Sequence, residues 1–157
     1  MRAKKVLTIL LLGISAQVVA EETLTEGASL PALALKDQHE RPAEIPPSTR
    51  QLLFAADNGG AGLVTNLLDS LEATWLSQTH RVYLADIHKM PGLISRLVAL
   101  PRLQEKPYRI VLGREEADLV MFPRKKDCAT VIPIQDGRLG KAAFACSDKE
   151  LRDAVMP

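Results

Sequence analysis

Residues 52–71, LLFAADNGGAGLVTNLLDSL, decide the fold. Gln51 to Ala56 is a short, nearly continuous apolar run bounded by turn residues, the pattern of a buried strand. Asp57 and Asn58 are good helix-capping residues, and Gly59, Gly60 and Gly62 permit a sharp strand-to-helix turn. Leu63, Val64, Leu67, Leu68, Leu71 and Trp75 then recur at three- and four-residue spacing, while Thr65, Asn66, Asp69, Ser70 and Glu72 take the other face. That spacing predicts an amphipathic helix with Trp75 as a core anchor.

Working outward, Arg81 to Ile87 reads as a second strand. Pro91 suits a helix start, and Leu93, Ile94, Leu97 and Val98 form the expected inward stripe of a short helix ending near Pro101. Arg109 to Leu112 is a third strand, and residues 113–127 are expected to make a charged surface excursion with a single helical turn. Thr130 to Gln135 and Gly140 to Ala145 flank Asp136-Gly137-Arg138-Leu139, a hairpin signal. Ser147 and Glu150 form a capping box that opens a final helix, with Leu151, Ala154 and Val155 facing inward. On the N-terminal side, the apolar Ala32 to Leu35, the polar turn after it and Pro46-Pro47 predict a short strand or hairpin over 31–50. Strand–helix–strand units pair in parallel by right-handed crossovers, and the terminal hairpin pairs antiparallel. The expected fold class is α/β, a mixed central sheet with helices on both faces and a C-terminal β-hairpin and helix.

Arg2, Lys4 and Lys5 followed by the apolar Val6 to Val19 and small residues up to Ala20 predict an export signal over 1–20 and one domain over 21–157. The apolar run is short of the about 20 residues a spanning helix needs. Without the leader, 17 Lys and Arg stand against 19 Asp and Glu. That balance argues against nucleic acid, which needs a basic face, and gives no reason to expect a membrane contact beyond the leader. Aromatic residues make up 4% of the chain, too few for a base-stacking platform. The expected location is the periplasm or the exterior.

Two further stretches carry a resemblance. GASLPALALKDQHERPAEI (27–45) is similar to the opening segment of peroxiredoxins and thiol reductases, and VYLADIHKMPGLISRLVALP (82–101) is similar to the strand, acid, proline and helix of the thioredoxin core. With RQLLFAADNGGAG (50–62), the chain resembles the thioredoxin-like superfamily over residues 27 to about 155, and also a group of short exported bacterial proteins without assigned activity. The resemblance implies a thioredoxin-like three-layer sandwich. It also implies a reactive cysteine at the start of the helix after the first parallel strand, where the helix N-terminus favours a thiolate. The chain has Asn58 to Gly62 there instead, with no Cys-x-x-Cys. A family cis proline beside the site would fall on Pro107.

The chain's two cysteines, Cys128 and Cys146, flank the hairpin almost symmetrically about Gly137, which places them opposite or within one residue of opposite. In an oxidising compartment they are expected to pair. A structural clamp, a redox-active pair and two free buried thiols are the open readings. Lys125 and Lys126 would favour a thiolate at Cys128, and the capped helix after Cys146 would favour one there. Gly60-x-Gly62 with Asp86 ending the next strand is a partial dinucleotide fingerprint, but Thr65 replaces the third glycine and Asp57 opposes a phosphate. His39, His80 and His88 are expected on the surface, and no metal ligand set is recognised. Three functions follow. The first is a non-enzymatic binding or accessory domain without the catalytic cysteine, using Asp57, Asn58, Gly59, Gly60 and Gly62 toward a protein partner or small ligand, with no cofactor. The second is a thiol–disulfide oxidoreductase using Cys128 and Cys146. The third is a small FAD- or FMN-binding oxidoreductase.

Overall fold

The structure, a computed structural model, describes residues 22–156; the leader expected over 1–20 lies outside them. The chain runs β1 (Leu35–Asp37), β2 (Pro42–Ala43), β3 (Gln51–Ala55), α1 (Asn58–Asp69), α2 (Trp75–Gln78), β4 (Arg81–Asp86) and α3 (Gly92–Ile94). A π-helical segment, Ser95–Ala99, joins α3 to α4 (Leu100–Gln104). There follow β5 (Ile110–Gly113), α5 (Glu116–Leu119), β6 (Ala129–Gln135), β7 (Arg138–Leu139), β8 (Ala143–Ala145) and α6 (Asp148–Val155). The strands form one mixed sheet in the order β2-β1-β5-β4-β3-β6-β7, with β8 also on β6. Strands β3, β4 and β5 are parallel neighbours, and β6 returns antiparallel beside β3. This agrees with the mixed sheet and terminal hairpin expected of a thioredoxin-like chain.

Strand β3 reads as a continuous apolar run because it is covered on both faces. Leu53 and Ala55 point into a core with Val64, Leu67 and Leu68 of α1, Leu76, and Leu151 and Val155 of α6. Leu52 and Phe54 point the other way, toward Leu119, Phe122, Ile132 and Ile134. The helices gather on the first face. The second is covered by the single turn α5 and by apolar residues of the N-terminal segment, Leu24, Ala28, Leu30 and Leu33 among them. The 113–127 stretch is therefore more than a surface excursion: it buries Leu119 and Phe122. The ring of Phe122 lies 5.5 Å from that of Phe54.

Other expectations are corrected in detail. Helix α1 stops at Asp69, and Trp75 begins a separate turn, where it still packs on the first core with the Arg81 guanidinium 4.7 Å from its ring. Ala154 is exposed rather than inward. Helix α4 runs through Pro101, whose missing N–H costs nothing at a first helical turn. Leu93, Ile94, Leu97 and Val98, expected inward, are 71%, 52%, 67% and 44% exposed.

The hairpin contains a register device. Asp136 and Gly137 both have positive φ, 50° and 72°, the geometry of the tight turn that Asp-Gly favours. Near the turn Ile134 faces Leu139, whereas Val131 faces Ala143. Three steps along β6 are thus matched by four on the returning strand, so one residue is bulged out. The bulge lies opposite Pro133, which has no N–H for the ladder, and Gly140 donates its N–H to the Pro133 carbonyl at 2.7 Å. Carried straight from the turn, the register would set Cys128 against Ala145. The bulge sets it against Cys146.

At the far edge, Asp37 is fully buried and its carboxylate accepts from the N–H groups of His39 and Arg41 and from the Arg41 guanidinium. Burial pushes the Asp37 carboxyl up, but these backbone donors and the guanidinium outweigh it and hold the group below the usual carboxylate range. A depressed folded pKa stabilises above the unfolded value, about 3.9, and the contribution vanishes as pH falls through the folded pKa. Asp37→Asn is expected to lose about 1–3 kcal/mol in urea unfolding at pH 7, with the gap to the parent closing as pH falls below the unfolded carboxyl value of about 3.9. An unchanged gap across that range would assign the loss to packing instead of charge.

Candidate functional site

Helix α1 starts where the carboxyl ends of β3 and β4 meet the entry of β6. Its N-cap is Asp57, in extended backbone, whose Oδ1 accepts from the Gly60 N–H at 2.9 Å. The second oxygen, Oδ2, accepts from the N–H of Asp127, also at 2.9 Å. One carboxylate therefore joins the helix start to the segment entering β6. Asp127 has φ 58°, in the left-handed region that Asp tolerates better than most residues.

The glycines make that contact possible. A Cβ on Gly59 would lie 2.7 Å from the Asp127 Cα, and one on Gly60 would lie 2.5 Å from the Cys128 carbonyl oxygen. A Cβ on Gly62 would meet nothing within 4 Å, so that glycine is not part of the seat. Asn58 is exposed. The partial fingerprint at 57–62 thus has a packing explanation: the space left by Gly59 and Gly60 is filled by the 127–128 backbone, and the Gly60 N–H is already capped.

Cys128 and Cys146 are bonded to each other, with their Cα atoms 4.2 Å apart. They occupy the rung after Ala129↔Ala145, so the bond closes the end of the β6–β8 ladder. Cys128 is buried and Cys146 exposed. The expectation of a scaffold without an active-site cysteine is not supported. The helix turn holds no sulfur, but the disulfide joins the residue before β6 to the residue after β8, and the Cys128 backbone lies against Gly60.

The two sulfurs have unlike surroundings. Ser147 caps α6 by accepting from the Glu150 N–H, while Glu150 Oε2 accepts from the Cys146 N–H at 2.6 Å. Glu150 and Asp148 therefore bring negative charge to Cys146 and oppose a thiolate there, against the expectation from the helix start alone. Lys126 and Lys125 are exposed two and three residues before Cys128, but Asp127 stands directly before it, with the Asp57 carboxylate on the Asp127 N–H. Carboxylates and burial offset those cations at Cys128, so access rather than charge distinguishes the two cysteines.

A second polar group lies at the same edge of the sheet. Asp86 is buried at the end of β4; its Oδ2 accepts from Arg124 Nη1 at 3.0 Å, and its Oδ1 lies 2.6 Å from His88 Nδ1. Arg124 also donates to the Leu119 carbonyl and stacks on Phe54, 5.4 Å from its ring centre. His88 is therefore largely covered and engaged, which corrects its placement as a solvated residue. Sequence reasoning missed Arg124 and Asp127, since neither lies in a local pattern; the positive charge before a buried strand was the available hint. Among the described residues, no three His, Cys, Asp or Glu side chains are grouped to hold a metal. The Lys106–Pro107 peptide is trans, as are the other described peptides, and it precedes β5, two strands from β3. The assignment of Pro107 as a cis proline beside the site is thus overturned.

No family model matches the chain, and no curated protein does. Solved structures do. Peroxidoxin BcpB from Mycobacterium tuberculosis is 12% identical at a TM-score of 0.54, covering 83% of this chain and 94% of that one. A thio-disulfide isomerase from Thermus thermophilus is 15% identical at 0.51, covering 85% and 96%. An uncharacterized thioredoxin-like protein from Porphyromonas gingivalis is 12% identical at 0.52, covering 82% and 90%. At these identities the likeness is one of backbone architecture, and the chain has a thioredoxin-like fold.

Proposed function

We propose that the chain exchanges thiols and disulfides through Cys128 and Cys146. The observation that supports this is the position of the bond: one exposed and one buried sulfur, at the carboxyl edge of the parallel strands and against the start of α1. Open α/β sheets place their reactive crevices at this edge, where neighbouring connections depart in opposite directions. Here α1 leaves β3 toward β4 on one side, while β6 enters on the other.

Access sets the direction of the reaction. A substrate thiolate attacks the exposed Cys146 sulfur and forms a mixed disulfide; the Cys128–Cys146 bond breaks and Cys128 departs as a thiolate. The second thiolate of the substrate then attacks the substrate sulfur of that mixed disulfide and expels Cys146. The substrate dithiol is oxidised to a disulfide, and the pair on the chain is reduced. This route uses no flavin and no metal. It fits an exported protein in an oxidising compartment.

The place of the bond at the end of the β6–β8 ladder favours a second reading, in which it is only a staple. A cross-link closing a loop of this size stabilises by about 3 kcal/mol in the chain-entropy model. One measurement separates the two. In glutathione buffers the native protein is expected to reach half-reduction between about −230 and −180 mV. A bond that stays oxidised below about −300 mV would establish the staple and overturn the exchange reading.

Three variants test the assigned roles. With glutathione disulfide, Cys128→Ser is expected to form a mixed disulfide at Cys146 at least about tenfold faster than Cys146→Ser does at Cys128, because only Cys146 is exposed. Equal rates in folded variants would remove the assigned order of attack. Gly60→Ala should cost about 1–3 kcal/mol in thermal unfolding, since its methyl group meets the Cys128 carbonyl. A neutral result would show that the seat on α1 does not position the bond.

A further inference from the structure

The crossover from β4 to β5 carries an apolar stripe that the core does not use. In a regular α-helix Leu93, Leu97 and Leu100 would fall on one face, since seven residues complete nearly two turns. The π-helical segment Ser95–Ala99 breaks that phase. After it, Leu100 and Leu103 pack on the main core. Before it, α3 buries nothing, and Leu93 and Ile94 of α3, Leu97 and Val98 of the π-helical segment itself, and Pro91 all stand in solvent.

The charge around this stripe differs from that of the whole chain. Residues 87–104 contain no Asp or Glu, in a chain with 19 of them. Lys89, Arg96 and Arg102 lie in or beside the stripe, and all three are exposed. The near-neutral total therefore conceals a local cationic, apolar segment. Large exposed aliphatic side chains flanked by exposed cations are what an anionic lipid interface selects: the apolar groups enter the acyl boundary and the cations stay at the headgroups. No helix among the described residues is long and apolar enough to cross a membrane, so such a contact would lie on the surface.

We infer that the segment from Lys89 to Arg102 docks the domain on an anionic bilayer surface, inserting Leu93, Ile94, Leu97 and Val98. A second copy of the chain is a poorer occupant. A stable interface takes about 20 residues from each side, and it would bring the three cations of one copy against those of the other. A shallow interfacial insertion needs only a few large apolar groups and gains from the same cations.

The test reads the helix itself, so that any binding by the apolar N-terminal residues is kept apart. Leu93→Trp in the full chain is measured against the parent, which has Trp75 alone. With phosphatidylglycerol vesicles, the added emission is expected to shift to the blue and to be quenched by lipids brominated on the acyl chain. Vesicles of phosphatidylcholine should produce neither change, and raising salt from about 0.05 to 0.5 M should reverse the effect. Combined Lys89→Gln, Arg96→Gln and Arg102→Gln substitutions should weaken the vesicle-dependent shift by at least about tenfold, at about 1 kcal/mol per cation near the surface. If the indole added by Leu93→Trp keeps a solvent-like emission with anionic vesicles, the inference is overturned, including when the protein sediments with them. A concentration-dependent dimer, formed without lipid and returned to monomer by Leu93→Ser with Leu97→Ser, overturns it as well.

Discussion

A single carboxylate holds the start of α1 and the entry to β6 together. Asp57 accepts from Gly60 at the start of α1 and from Asp127 at the entry to β6. These two elements are 70 residues apart in sequence, and the two hydrogen bonds converge on one side chain. Charge-assisted bonds of this kind are stronger than neutral ones, and two from one group fix an orientation as well as a distance. The close approach then follows: the 127–128 backbone occupies the space that Gly59 and Gly60 leave empty. The disulfide is placed at the helix start by this contact.

The same end of the sheet is shaped by a second constraint, the bulge opposite Pro133. A proline inside a paired strand removes one ladder donor, and the returning strand answers with an extra residue. That residue moves the register by one, which is the difference between Cys146 and Ala145 facing Cys128. The bond is therefore a consequence of an irregularity several residues away. The helix seat and the bulged hairpin together place the bond at the carboxyl edge of the parallel strands, beside the start of α1.

The crossover helix shows how a pattern can be legible and still misread. Its apolar spacing over 93–98 is real, and a helix forms there. Periodicity says which residues share a face; it does not say which way the face points. That direction depends on the phase of the helix relative to Leu100 and Leu103, and the π turn between them changes the phase. The covered His88 and the exposed Ala154 depart from their local patterns for a similar reason. Burial depends on neighbours from other parts of the chain, such as Asp86 held by Arg124 38 residues later.

What the amino-acid sequence determines alone is local. Apolar runs at 51–55, 81–86 and 110–113 make strands, Asp57 and Ser147 start helices, Asp136-Gly137 makes a tight turn, and two cysteines flank that turn. Each depends on residues within a few positions, where capping, backbone preference and periodicity act directly. Parallel pairing with a terminal hairpin follows from their order. Only the tertiary structure decided which cysteine is exposed, what fills the glycine turn, and which apolar stripe is left in water. These outcomes depend on contacts between segments far apart in the chain, and a close-packed interior allows only one set of them.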